Sequence, residues 1–205
     1  LDAGMVNNRL SSTTIGATTE NYHYDGSAGL HGNITFMPHL PVMRWDYRDL
    51  LQAAAGQAIG GGTPETTWYV YDAGGQRVRK VTERQAAAGQ PATRRKERLY
   101  LGGGFEIYRE YGGDGDTIAM ERETLPIMDD HDKQRLALIE TKTVGDGTPL
   151  DAPAPTPRYQ FGNHLGSASL ELDENGAVIS YEEFYPFGNT SYQAGCSAAE
   201  VSLKR

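Results

Sequence analysis

The sequence predicts an all-β protein, an antiparallel ribbon of hairpins, on three observations. Apolar and aromatic residues alternate with polar ones over short stretches, as half-buried strands require. Clusters of Gly, Asn and Asp separate those stretches and punctuate them as turns. Helical periodicity is sustained nowhere over more than about ten residues. The composition agrees: 38% hydrophobic residues, with 25 Gly and 12 Tyr in 205 residues, suits many turns better than a thick core.

The elements follow in order. "ENYHYD" (20–25) reads as an early strand, followed across a Gly-rich turn by "HGNITFM". "LPVMRWDY" is apolar and aromatic and enters "RDLLQAAAGQA", where Leu50, Leu51 and the alanines suit a short helix or a continued strand; the sequence leaves both open. "GGGTPE" (60–65) is a loop. "TTWYVYDAGGQRVRKVTE" (66–83) is the cleanest hairpin of the first half, with Trp68, Val70 and Asp72 alternating against Tyr69 and Tyr71. A second hairpin places "RRKERLYL" and "FEIYREY" on either side of a Gly triplet, 102–104. Two further turns, "GGDGD" and "DDHDKQ", introduce "TIAMERETL" and "RLALIETKTV", and "GDGTPLDAPAPTP" reads as a loop.

The stretch "RYQFGNHLGSASLELDENGAVISYEEFYPFG" (158–188) carries the strongest turn signal. Asn175-Gly176 suits a type I′ turn, which needs two residues with φ > 0. That turn opposes Leu172 to Ile179, Leu170 to Tyr181, Glu171 to Ser180 and Ser169 to Glu182, giving one apolar and one polar side. A longer turn over "DENG" would shift the pairs. A ribbon of this kind cannot bury its apolar side alone and needs neighbours.

Charge and composition exclude several classes. A net charge of −8 and a pI near 5.1 argue against a nucleic-acid partner, which needs clustered Lys and Arg. "RRKER" (94–98), the best basic cluster, reads as a solvated edge. No apolar run approaches the roughly 20 residues of a membrane span, and the start, "LDAGMVNNRL", lacks the layout of a signal peptide. The lack of an initial Met suggests a piece of something longer. One cysteine, Cys196, precludes an internal disulfide framework.

Candidate chemistry is sparse, and no cofactor is expected. Cys196 and His164 lack the surroundings of a nucleophile and its base. "GGDGD" (112–116) and "DDHDK" (129–133) hold oxygen ligands, but a single Gly-Asp copy and four adjacent side chains make poor metal sites. Glu182 and Glu183 point to opposite sides of a strand, so they do not form a hydrolytic pair. The Tyr-Asp and Trp-Asp dipeptides at 24–25, 45–46 and 71–72 read as packing aromatics, each followed by an aspartate that accepts turn N–H groups.

"YVYDAGGQRV" (69–78) resembles the YD repeat, Tyr-x-Tyr-Asp-x-x-Gly before an apolar strand, and "YHYD…HGNIT" and "RWDYRDLLQ" resemble looser copies. Residues 158–188 are similar to the segment that leads into the core of RHS-family proteins, including the C components of bacterial insecticidal toxin complexes. "NNRLSSTTIG", "MRWDYRDLLQ", "WYVYDAGGQRVRKV" and "YLGGGFEIYRE" stand in a similar order. The resemblance implies a section of a hollow RHS-type β-shell that encloses a C-terminal toxin polypeptide until delivery. It implies degenerate repeats over 1–157, a core-leading hairpin segment over 158–192 and a tail over 193–205. The expected structural positions are Tyr22, Tyr24, Asp25, Trp45, Asp46, Trp68, Tyr69, Tyr71, Asp72, Gly162, His164, Leu165, Gly166, Asn175, Gly176 and Gly188. The implied partners are the rest of the shell, its toxin cargo and a toxin-complex B-type subunit, in a bacterial protein secreted or delivered outside the cell. No residue here matches the family's self-cleavage site, so a non-enzymatic role is expected. The alternative is a cell-surface module whose tyrosines bind glycans or host proteins.

Overall fold

The computed structural model describes residues 8–25, 31–58, 60–130, 134–163 and 167–196. It is built from antiparallel strands joined by tight turns, and the chain divides into two compact units.

The first unit takes in residues 1–100 and 109–118. It opens with two small hairpins, β1 (Ser12–Ile15) with β2 (Thr18–Asn21), and β3 (His23–Tyr24) with β4 (Ile34–Phe36). A meander follows, in which each strand pairs with the next: β5 (Val42–Trp45), β6 (Leu51–Ala55), β7 (Thr66–Tyr71), β8 (Arg77–Glu83) and β9 (Arg94–Tyr100). The "LQAAA" stretch is therefore a strand. Its alanines explain the choice: Ala53 and Ala55 are 0% and 3% exposed, where only small side chains fit between neighbouring strands. Ala53 lies directly between Arg44 and Trp68, and the same row continues to Val81 and Glu97.

The second unit takes in residues 101–108 and 119–205. After a 3-10 turn at Gly102–Gly104 comes β10 (Glu106–Tyr111), which the division between units crosses. Then β11 (Ile118–Met128) pairs with β12 (Arg135–Gly145), β12 with β14 (Pro155–Gly162), and β15 (Ala168–Leu172), β16 (Val178–Phe184) and β17 (Thr190–Gly195) follow in sequence. A two-residue β13 (Thr148–Pro149) pairs with the end of β12.

Three expectations are corrected here. The proline-rich loop ends earlier than expected, because Pro155 and Pro157 already lie in β14, opposite Thr141 and Ile139. Only β12 flanks them, since β15 joins β14 from Tyr159 onward; a residue without an N–H is tolerated where one side of the strand is unpaired. The 175–176 turn is not type I′. Gly176 has φ +78°, but Asn175 has no positive φ, and Leu172 opposes Val178 rather than Ile179. Finally, "RRKER" is no solvated edge: it forms β9, paired to β8, with Glu97 only 3% exposed.

The polarity of the second unit's faces follows from its register. Ile127, Ala137, Tyr159 and Leu172 stand side by side, as do Phe161, Leu170, Tyr181 and Ala194. This is the apolar face, and it is open: Phe161 is 52% exposed and Tyr159 46%. Leu125, Ile127, Tyr181 and Tyr192 are exposed as well. The opposite face is polar and buried, with Arg158, Gln160, Glu171, Ser180 and Glu182 crowded between strands.

Candidate functional site

Two features of the described residues organise this chain: a recurring turn and a buried polar ladder. Both arise from alternation and turn chemistry already visible in the sequence.

The turn is a four-residue bend closed by a wide backbone pair. At 173–177 the Gly176 N–H donates to the Asp173 carbonyl at 3.1 Å, and the Asp173 N–H donates to Ala177 at 2.9 Å. The Asp173 carboxylate accepts from the Asn175 and Ala177 N–H groups at 2.9 and 2.8 Å. A type I bend followed by one left-handed residue gives this pattern, and Gly176 supplies that residue. The same bonds recur at 72–76, with Gly75 in the left-handed position, and at 185–189, with Gly188 there at φ +84°. Asp72 Oδ1 accepts from the Gln76 N–H at 2.9 Å. At 46–50 the Asp46 carboxylate accepts from the Arg48 and Leu50 N–H groups at 2.8 and 3.0 Å. Asp114 serves the 112–117 turn similarly, accepting from Asp116, Thr117 and the Thr117 hydroxyl, which hold its carboxyl below the usual range. Its oxygens are thus engaged in the turn. Among the described residues no group of three or more His, Cys, Asp or Glu side chains could hold a metal ion.

The aromatic positions named from the sequence fasten neighbouring strands. The Trp45 indole N–H donates to the Ile34 carbonyl at 2.8 Å, and Trp68 donates to Glu83 Oε2 at 2.8 Å. The Tyr71 hydroxyl donates to the Leu51 carbonyl at 2.9 Å, and Tyr24 donates to Leu10 at 3.0 Å. The Tyr22 hydroxyl reaches Thr13 Oγ1 at 3.3 Å. Tyr69 stacks under the Arg77 guanidinium, 5.8 Å from the ring centre. Asp25 Oδ1 accepts from the Gly32 N–H at 3.1 Å. Gly162 sits at a bulge opposite Ala168. His164, Leu165 and Gly166 lie outside the described residues; on either side of them, Asn163 and Ser167 exchange a backbone bond, and the Ser167 N–H also donates to Asn163 Oδ1 at 3.1 Å. Cys196 is an exposed free thiol.

The ladder in the second unit was missed by sequence reasoning. Arg158 donates to Glu140 at 3.1 Å and to Glu171 at 2.7 Å, Ser180 Oγ donates to Glu171 at 2.7 Å, and Gln160 donates to it at 2.5 Å. Arg122 approaches the far side of Glu140 at 3.5 Å, and Arg135 donates to Gln160. Burial would raise the Glu171 pKa, but hydrogen bonds from Arg158, Ser180 and Gln160 and the Arg158 charge outweigh it and lower it to about 2. The first unit holds a smaller version. Glu97 is bound by Arg79 at 2.5 Å and by the Tyr111 hydroxyl, with Arg109 at 3.6 Å. Burial again opposes ionisation, yet Tyr111 and the two arginines hold the Glu97 carboxyl below its usual range. Burial and the nearby Glu97 raise the Tyr111 phenol. The sequence signal for such ladders is the register itself: Glu171 opposite Ser180 was legible, whereas Arg158 beside them required the β14–β15 pairing.

Arginines also tie successive turns together. Arg48 donates to the Asp72 and Ala73 carbonyls at 3.0 and 2.9 Å, and Arg94 donates to the Gly115 carbonyl at 2.9 Å and to Asp116 at 2.7 Å. Arg84 donates to the Arg94 and Tyr111 carbonyls. This arrangement can hold strands in register. It presents no nucleophile–base pair and no pair of facing free carboxylates among the described residues.

The toxin subunit YenC1 of Yersinia entomophaga is 31% identical over 163 residues, which span 80% of this chain and 16% of that protein. The chain is similar to part of a bacterial toxin subunit. YenC2 of the same organism is 29% identical over 160 residues, 78% of this chain and 16% of its own length. No family model matches the sequence. Among solved structures, TcdB2–TccC3 matches 90% of this chain and 9% of its own with a TM-score of 0.65 at 24% identity. The Photorhabdus luminescens Tc holotoxin pore with TccC3-D651A matches over the same shares with a TM-score of 0.64 at 23% identity. The fold is accordingly the antiparallel β-ribbon of the RHS-type shell. The chain spans about a sixth of the length of the toxin subunits it resembles.

Proposed function

We propose that this chain is a non-enzymatic wall section of an RHS-repeat shell that encloses and shields a C-terminal toxin polypeptide until delivery. The observation that carries the reading is the second unit's bare apolar face. Strands β11, β12 and β14–β17 form a sheet whose Leu125, Ile127, Tyr159, Phe161, Tyr181 and Tyr192 are exposed, with no second layer over them among the described residues of that unit. An independent globular domain would bury such a face, because an apolar patch of this extent promotes association. A wall keeps both faces and passes its pairing to further hairpins at its ends.

The likeness to YenC1 and to TcdB2–TccC3 supports the same reading. On it, the Tyr-Asp and Trp-Asp dipeptides and the turn glycines are the repeat's structural positions, and the partners are the remaining shell, its cargo and a B-type subunit. The wall section works outside the producing bacterium, as part of a secreted toxin assembly. No helix among the described residues is long and apolar enough to cross a membrane.

The intact mass of the native polypeptide tests this reading. A mass several times 22.4 kDa is the expected result; a mass near 22.4 kDa would overturn it, since so short a ribbon encloses nothing.

A further inference from the structure

The left-handed position of the recurring turn is glycine at Gly75, Gly176 and Gly188, but in the 46–50 turn it is Asp49, at φ +60°. Aspartate is among the few side-chain-bearing residues that adopt this conformation, because its short polar side chain can hydrogen-bond nearby. The Asp49 carboxylate reaches across to the β3–β4 hairpin. Its Oδ2 lies 3.0 Å from His31 Nδ1, and its Oδ1 accepts from Asn33 Nδ2 at 2.7 Å. The Trp45 indole bond to the Ile34 carbonyl makes a third tie between the same two elements. These groups border an open groove of 450 Å³.

We propose that the His31–Asp49–Asn33 contact is a pH-responsive clasp, which holds the β3–β4 hairpin against the first turn of the meander more firmly in mild acid than at alkaline pH. The charges around His31 favour that direction. Asp25 from the end of β3 and Asp46 and Asp49 from the turn line the same groove, as does Arg44 from β5, and the Arg9 guanidinium lies against Gly32. The Asp46 carboxylate is already occupied by the Arg48 and Leu50 N–H groups, and Arg48 itself reaches the next turn. The Asp49 hydrogen bond and charge, then Asp25, outweigh the small cost of burial and raise the His31 pKa above its ordinary 6.5. A raised histidine contributes its full stabilisation below the unfolded value and loses it as pH rises through the folded one. The clasp therefore tightens below about pH 6.5 and slackens above it. Neutral imidazole retains a hydrogen bond to Asp49 only in the tautomer with the proton on Nδ1.

Hydrogen exchange read by peptide mass in the intact protein tests this. The measurement compares residues 31–37 in the parent, His31→Gln and Asp49→Asn at matched pH. The exposed ion pair predicts about two- to five-fold greater protection in the parent than in either variant at pH 5.5, falling toward parity by pH 8. Equal protection at pH 5.5, or an advantage of the same size at both pH values, would overturn the clasp.

Discussion

The two units bury their sheets by different means. In the first, the buried members of the Arg44–Ala53–Trp68–Val81–Glu97 row are the apolar Ala53 and Val81 and the charged Glu97, while Arg44 at its end is exposed. In the second, the buried row is polar almost throughout, and the apolar residues face outward. Alternation alone does not say which side of a strand is covered. The second unit shows that a polar side is covered when it closes its own hydrogen bonds, as Arg158, Glu171, Gln160 and Ser180 do.

If this contrast is right, breaking the ladder has the largest effect. Glu171→Ala leaves Arg158 buried without its Glu171 carboxylate and is expected to lower stability by about 3–5 kcal/mol, read from the denaturant midpoint. The paired change Arg158→Met with Glu171→Leu removes both charges and is expected to recover most of that loss. In the first unit, Ala53→Leu forces a large side chain between Arg44 and Trp68 and is expected to cost about 1–3 kcal/mol by the same measurement. Gly176→Val is a smaller perturbation. A side chain there meets open space, so the loss is the conformational cost of a left-handed β-branched residue, about 1–2 kcal/mol. Asn175→Gly should change little, because Asn175 does not occupy a left-handed conformation.

The pH response sharpens the comparison further. The Glu171 carboxyl is depressed from 4.5 to about 2, so its stabilisation is present above pH 4.5 and is lost as pH falls toward 2. Unfolding followed between pH 7 and 5 should show no weakening of the second unit from this group. A loss of stability in that interval that disappears in Glu171→Gln would contradict the ladder's assignment.

Much of the fold was legible because turns and alternation are local. The 66–83 hairpin, the bend at 102–104 and the pairing of Leu170 with Tyr181 and of Glu171 with Ser180 all follow from neighbouring residues. Errors arose where two local rules compete. Asn-Gly suits a two-residue turn, but Asp173 can accept two N–H groups, which favours the longer bend and moves Leu172 opposite Val178. The candidate site was less legible. Arg158 and Glu171 lie thirteen residues apart, and Arg79 and Glu97 eighteen, so each ion pair exists only once strand pairing is known. The use of Asp49 was hidden for a related reason. An aspartate in a turn reads as a cap, and its left-handed backbone and its grip on His31 and Asn33 are visible only in three dimensions.

Protease protection tests the wall most directly. Intact native protein is digested over time, and the polypeptide on the C-terminal side of this chain is followed by mass spectrometry, with and without denaturant enough to melt the sheet. The account predicts that this polypeptide survives while the sheet is folded and is cut promptly once it melts. Cleavage at the same rate in both states would contradict enclosure and leave the chain a ribbon that surrounds nothing.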